Sequence, residues 1–425
     1  MTDLATRATP FHAPLPRRAA PALLGYAAVR VLGLVVLAAW SAARGKNAYT
    51  LLTARWDSLW YTRVAELGYG YQVRLPNGDL HSNLAFFPLL PWLERLLHAV
   101  TPLSYADAGF VVSVLASLAA ACGIYAVAEW VYGRRVGVCA VLLWAVLPVG
   151  IVQSMAYSES LFTALAAWSL YAVLTGRWVS AGVLAGLAGL TRPVGLAVVA
   201  AVWVAGVTSF VRDRSARLMS GARGDEHAPA PEGDAHAGRV PKTDGAREMT
   251  RALSLTTSAP ASRRIAGMLL APLGAAGYVL WVGHRTGKGP LGYLDVQAGW
   301  RNGLDGGYAF ARFVAARFTS FPSALVGAGL IIGVALLIWL YVTGVRQRQP
   351  VALLVYTGVV LALALCASSY FGSKPRLLMP AFPVLFPLAR ALAGLRTRRS
   401  AQVLGAVAAA TAVYGAFWLN GSGPP

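Results

Sequence analysis

Charge is scarce in this chain. Only 13% of its 425 residues are Asp, Glu, Lys or Arg, against about 25% in soluble globular domains. With 57% hydrophobic residues, that scarcity excludes an ordinary soluble domain. Cysteine is scarcer still: Cys122, Cys139 and Cys366 each lie inside an apolar run, which excludes a disulfide framework. The six histidines are scattered with no pair at ligand spacing, so no metal site is expected. No Gly-rich phosphate loop, nucleophile elbow or HExxH is present, and nucleotide binding has no support. The one excess is basic, a net charge of +20. Its arginines cluster in short loops between apolar runs, where they set topology and meet anionic headgroups. Without an aromatic-basic recognition motif, nucleic acid is not an expected partner.

What is there is apolar sequence in runs near the length of a bilayer span. The runs cover about 20–43, 105–132, 134–152, 157–175, 178–191, 193–211, 264–284, 320–345, 351–371, 376–395 and 400–420. They predict an all-α polytopic membrane protein of about eleven transmembrane helices, or ten if the short run 178–191 does not span. The first run is too long for a signal-peptide core and reads as an uncleaved helix. With residues 1–19 as a cytoplasmic tail, Arg134-Arg135, Arg177, Arg346/Arg348 and Arg396/Arg398/Arg399 all fall inside, as the positive-inside rule requires. The outside then holds the loops 44–104 and 285–319, and the C-terminus. Residues 212–263, rich in Ala, Gly, Pro and mixed charge, read as a disordered cytoplasmic linker. It divides a module 20–211 from a module 264–425.

In the loop 44–104, Trp60, Val64 and Leu67 fall on one stripe and predict an amphipathic helix on the membrane from Ser58. A second is expected from Pro91, with Trp92, Leu93, Leu96, Leu97 and Val100 toward lipid and Glu94, Arg95 and His98 away from it. Aromatic residues in 285–319 (Tyr293, Trp300, Tyr308, Phe310) predict further interfacial helices. Few carboxylates remain for an outward site. Asp57 stands first, between a span and an interfacial helix; it either caps the helix beginning at Ser58 or takes part in chemistry, and one carboxylate can do both. Glu66, nine residues on, lies about half a turn out of phase and would face the other way. Glu159 opens a span, where an acid either complements the helix dipole or marks a site. Arg192, in Thr191-Arg192-Pro193, and Arg376, in Lys374-Pro375-Arg376, sit on the outer side against the positive-inside pattern. They either grip a lipid phosphate or snorkel to the headgroups.

These residues carry a resemblance. Trp56-Asp57-Ser58, Tyr61, Ala65-Glu66-Leu67-Gly68-Tyr69 and Asn83-Leu84-Ala85-Phe86-Phe87-Pro88 resemble the first luminal loop of GPI mannosyltransferase 2, the PIG-V family. Ala156-Tyr157-Ser158-Glu159-Ser160 is similar to a second block of that family, Thr191-Arg192-Pro193-Val194-Gly195 to a third, and Pro375-Arg376 with Ala381-Phe382-Pro383 to a tail block. The resemblance implies a GT-C fold with its active site in the first outer loop. It also implies a polyprenyl-phosphate sugar donor, mannose foremost, with no nucleotide and no cofactor. Asp57 would be the general base for an inverting transfer, with Glu66 and Glu159 as the other catalytic candidates. Arg192, Arg376 and Lys374 would bind the donor phosphate, and Trp56, Tyr61, Asn83 and Tyr157 the substrate. The segment Gln72–Ser82 and the cytoplasmic linker depart from the eukaryotic pattern. The Ala/Gly/Arg/Val-rich composition points to the cytoplasmic membrane of a high-GC bacterium, where the acceptor is a glycan, a lipoglycan or a protein hydroxyl. The competing readings are a transporter or flippase of a lipid-linked sugar, and a structural subunit of an envelope complex.

Overall fold

The computed structural model describes residues 14–224, 260–368 and 370–421. The protein is almost wholly helical. The first helix, α1 (Leu15–Ala43), leads into the segment 44–104, made of α2 (Ala48–Thr53), α3 (Asp57–Leu67), a two-stranded antiparallel hairpin β1 (Gln72–Arg74) and β2 (Leu80–Ser82), and α4 (Leu89–Val100). Next come α5 (Tyr105–Tyr132), α6 (Arg134–Ala145), α7 (Ser158–Leu174), α8 (Trp178–Gly189) and α9 (Leu196–Gly224). After 225–259 the chain continues as α10 (Ala261–Leu270), α11 (Leu273–Thr286), α12 (Gly292–Gly299), α13 (Tyr308–Ala315), α14 (Ser323–Arg346) and α15 (Val351–Cys366), and closes with α16 (Lys374–Leu378), α17 (Phe386–Gly394) and α18 (Thr397–Leu419).

Every predicted apolar run is helical, but the runs differ in what they become. Among the described residues six helices are long and apolar enough to cross a membrane, and a bent pair makes a seventh. α7, α8 and α15 are apolar yet have only 10–17 residues, and the run 134–152 breaks after Ala145 into a 3-10 turn at Gly150–Ser154. The run 376–395 breaks too: its halves meet at 76°. Pro380 and Pro383 supply no backbone N–H to a continuing helix, which explains the break. The carbonyls it frees are met from the side, Met379 O by the Trp144 indole (3.1 Å) and Pro380 O by the Tyr356 hydroxyl (2.9 Å). Arg30 serves the other break by donating to the carbonyls of Ala145 and Gly150. A charge in the middle of α1 thus has a structural partner, consistent with irregular backbone at membrane depth being tolerated where protein satisfies it.

The expected linker 212–263 is helical at both ends, since α9 runs to Gly224 and α10 begins at Ala261. The expected disorder of its centre, and most of the expected N-terminal tail, lie outside the described residues. The central packing unit is α5 against α7, where α5 buries small residues (Ser113, Ala116, Ala120 and Gly123) and Gly123 meets Ala167 and Trp168 of α7, letting the helices approach closely. A Ser104/Asp107 capping box starts α5. Close approach is strictest between α8 and α11: a Cβ on Gly274 would lie 1.8 Å from Gly186 O, so only glycine fits there.

Glu94 points away from the apolar stripe of Trp92, Leu96 and Val100 and into protein. It is buried on α4 against Gly109 of α5, one turn beyond the buried Leu90, and neither carboxylate oxygen has a hydrogen bond. Burial holds this carboxyl well above the usual carboxylate range. A raised folded-state pKa contributes stability that is complete below the ordinary carboxylate range and is lost as pH rises through the folded-state value. We expect thermal stability in detergent to fall with rising pH in the wild type. Glu94→Gln should flatten that dependence and be the more stable protein at the alkaline end.

Candidate active site

The site forms where the segment 44–104 meets α7, the α8–α9 link and α16. Asp57 is the first residue of α3. It does not cap the helix: the N-cap position is Trp56 and no side chain caps there. Its carboxylate instead accepts a hydrogen bond from Arg376 of α16, Nη1 to Oδ2 at 2.7 Å. The Arg376 Nε lies 3.2 Å from Glu159 Oε1 in the first turn of α7. Arg192, on the link between α8 and α9, pairs with the same Glu159 carboxylate. The four charges form one chain, Asp57–Arg376–Glu159–Arg192, with no net charge. Residues more than 300 positions apart meet because α16 stops at the proline break and turns its arginine inward.

Exposure divides this chain. The Glu159 and Arg376 side chains are 1% and 8% exposed, whereas Asp57 is 25% and Arg192 13% exposed. Glu159 is sealed, the two arginines are nearly so, and the Asp57 carboxylate is the most exposed member of the chain. Tyr157 lies under Arg376, its ring centroid 5.0 Å from the guanidinium carbon. Tyr61, one turn along α3 from Asp57, shares a hydrogen bond with the Ser158 hydroxyl at 2.6 Å, and burial pushes its phenol up.

The remaining expected site residues lie elsewhere. Glu66 is exposed near the end of α3. Lys374 turns from the network, donating to Ala364 O (2.9 Å) and Ala367 O (2.7 Å) with its ammonium near the Phe310 and Phe371 rings. Asn83 braces the segment 44–104, its side chain donating to Gly68 O (2.9 Å) and accepting from Gly70 N (3.1 Å). Trp56 stacks against Arg55. Among the described residues no three His, Cys, Asp or Glu side chains gather as a metal site would require. Ser158 and Arg55 are not among the expected site residues; Ser158 sits inside a motif block and Arg55 immediately precedes one, which is the available signal.

An apolar groove of about 690 Å³ opens between α8, α11 and α4. α8 supplies Val183 and Leu187, α11 supplies Gly277, Tyr278 and Trp281, and α4 contributes Trp92. Leu190, two residues before Arg192, lines it as well, and Leu190 O accepts from Leu89 N at the start of α4 (3.0 Å). The four charged side chains are not part of its lining.

Comparison with known proteins fits this architecture. The crystal structure of ArnT from Cupriavidus metallidurans bound to undecaprenyl phosphate is similar with a TM-score of 0.50 at 15% identity, over 92% of this chain and 64% of that one. The fold is of the GT-C type. The Archaeoglobus fulgidus oligosaccharyltransferase in complex with Zn and sulfate gives a TM-score of 0.44 at 15% identity, over 93% of this chain and 53% of that one. This chain thus spans less than two thirds of the length of either protein. Residues 85–219 match the family model described as dolichyl-phosphate-mannose-protein mannosyltransferase. That stretch includes Glu159 and Arg192 and leaves out Asp57 and Arg376. No curated protein sequence matches this chain.

Proposed function

We propose that this protein is a membrane glycosyltransferase. It moves a sugar, mannose foremost, from a polyprenyl-phosphate donor to an acceptor hydroxyl of a glycan, lipoglycan or protein on the outer face of a bacterial cytoplasmic membrane. The observation that carries this reading is an apolar groove that reaches Leu190, two residues before Arg192 of a charge chain whose most exposed member is the Asp57 carboxylate. An isoprenoid tail fits the groove, which has the size of a ligand pocket. Its phosphate would then meet Arg192. The matched mannosyltransferase family and the undecaprenyl phosphate bound by ArnT support such a donor. The motif blocks support kinship with the PIG-V family.

In the proposed step Asp57 takes the proton of the acceptor hydroxyl as its oxygen attacks the anomeric carbon. The bond from that carbon to the phosphate oxygen breaks, the configuration inverts, and polyprenyl phosphate leaves with the electron pair, its charge met by Arg192. Glu159 acts as the shared counter-ion of the two arginines rather than as a base, because it is sealed between them.

Transfer of radiolabel from polyprenyl-phosphate mannose in isolated membranes tests the reading, and the groove gives it a second arm. A Cβ on Gly277 would meet nothing within 4 Å, so Gly277→Phe fills the groove without forcing helices apart. The donor KM should rise about tenfold or more at little cost in kcat, because binding shared by ground and transition states is lost. An unchanged KM would remove the groove as the tail site.

A further inference from the structure

Among the described residues Trp56 is one of three non-glycine residues with positive φ, at φ 53° and ψ −122°, immediately before Asp57. A side chain in that region strains the backbone, and such strain persists only where the surroundings over-determine it. They do so here. Ser58 Oγ accepts from Arg55 N (2.9 Å) and donates to Arg55 O (2.6 Å), closing the turn from within. The Arg55 guanidinium lies 4.1 Å from the Trp56 ring centroid. Its Nη1 and Nη2 donate to Leu419 O and Gly421 O, each at 3.1 Å, beyond the last turn of α18. Lys46 joins the same helix end by donating to Asn420 O (2.5 Å). The last carbonyls of a helix lack partners within it and carry the negative end of its dipole, so they suit a guanidinium.

We propose that Arg55, anchored on the C-terminal end of α18, is a positioning residue that clamps Trp56 in its strained conformation and thereby sets Asp57 against Arg376. The inference rests on Asp57 acting as the base. It gives the C-terminal helix a part in the chemistry although α18 supplies no group to the charge chain. Arg55 is distinct in role from Arg192 and Arg376, since its donors are spent on protein carbonyls.

The test uses the full-length protein in membranes with polyprenyl-phosphate mannose as probe, and compares Arg55→Ala, Arg55→Lys, Trp56→Gly, Trp56→Ala and Asp57→Asn. Arg55→Ala should lower kcat about ten- to a hundredfold with the donor KM within about twofold, the signature of a displaced reacting group. Arg55→Lys should recover part of that loss. Trp56→Gly separates positioning from stability, because glycine takes positive φ without strain. It also removes an indole packed against the core, so its unfolding temperature should fall no further than that of Trp56→Ala while its kcat falls as in Arg55→Ala. Wild-type kcat in Arg55→Ala or Trp56→Gly, beside an inactive Asp57→Asn, would overturn the positioning role and leave the base intact. Kinetic losses that merely track a lower unfolding temperature would also overturn it. Wild-type activity in Asp57→Asn would remove the base and this inference with it.

Discussion

Asp57→Asn is expected to lower sugar transfer about 10²- to 10⁴-fold, the usual contribution of a positioned general base, with donor binding and folding close to wild type. The amide carbonyl still accepts from Arg376, and Arg376 keeps Glu159 as its counter-ion. What disappears is the one exposed carboxylate of the charge chain. Labelled product from wild-type and variant membranes at matched expression decides the matter. Equal labelling would remove Asp57 as the base. A transporter of the same lipid-linked sugar would tolerate this isosteric change, so a severe loss also speaks against that reading.

Glu159→Ala is expected to act on the fold itself. Removing one partner of a buried ion pair costs about 3–5 kcal/mol, because the charge left behind is uncompensated. Here two arginines lose the same partner, though Arg376 retains Asp57. Against a total stability of about 5–15 kcal/mol, that loss should appear as a large drop in unfolding temperature or as poor recovery of the folded protein. Glu159→Gln keeps hydrogen-bonding oxygen without the charge and should fall between. Wild-type stability in Glu159→Ala would contradict the counter-ion role.

How far the sequence could be read differs from element to element. Apolar length and basic loops revealed helices throughout, because burial in lipid constrains composition directly. The motif blocks also held Asp57, Glu159, Arg192 and Arg376, which the fold brings into one chain. What stayed hidden depends on partners distant in sequence. The sealing of Glu159 follows from two arginines distant in sequence, one on α16 and one on the α8–α9 link, and the burial of Glu94 from a glycine on α5. The diversion of Lys374 from its neighbour Arg376 follows from the carbonyls that end α15. The hairpin β1–β2 was legible and was passed over: Asn77-Gly78 is a turn signal, Gly78 has φ 87°, and Val73 pairs with His81.

The short helices have a consequence for the lipid around the protein. α7 and α8 contain 17 and 12 residues, which at 1.5 Å per residue is about 26 and 18 Å, below the roughly 30 Å of a hydrocarbon core. Glu159 starts α7 and Arg192 follows α8, so both charges sit at the ends of helices too short to reach both surfaces. Glu159 is met inside the protein by its two arginines, so the charges that touch the surroundings are Asp57 and, slightly, Arg192. On the proposed function, a bilayer thinned around the short helices would let a phosphate headgroup approach Arg192 without sinking as far as in a flat membrane. Turnover in vesicles should accordingly fall as the acyl chains of the host lipid are lengthened.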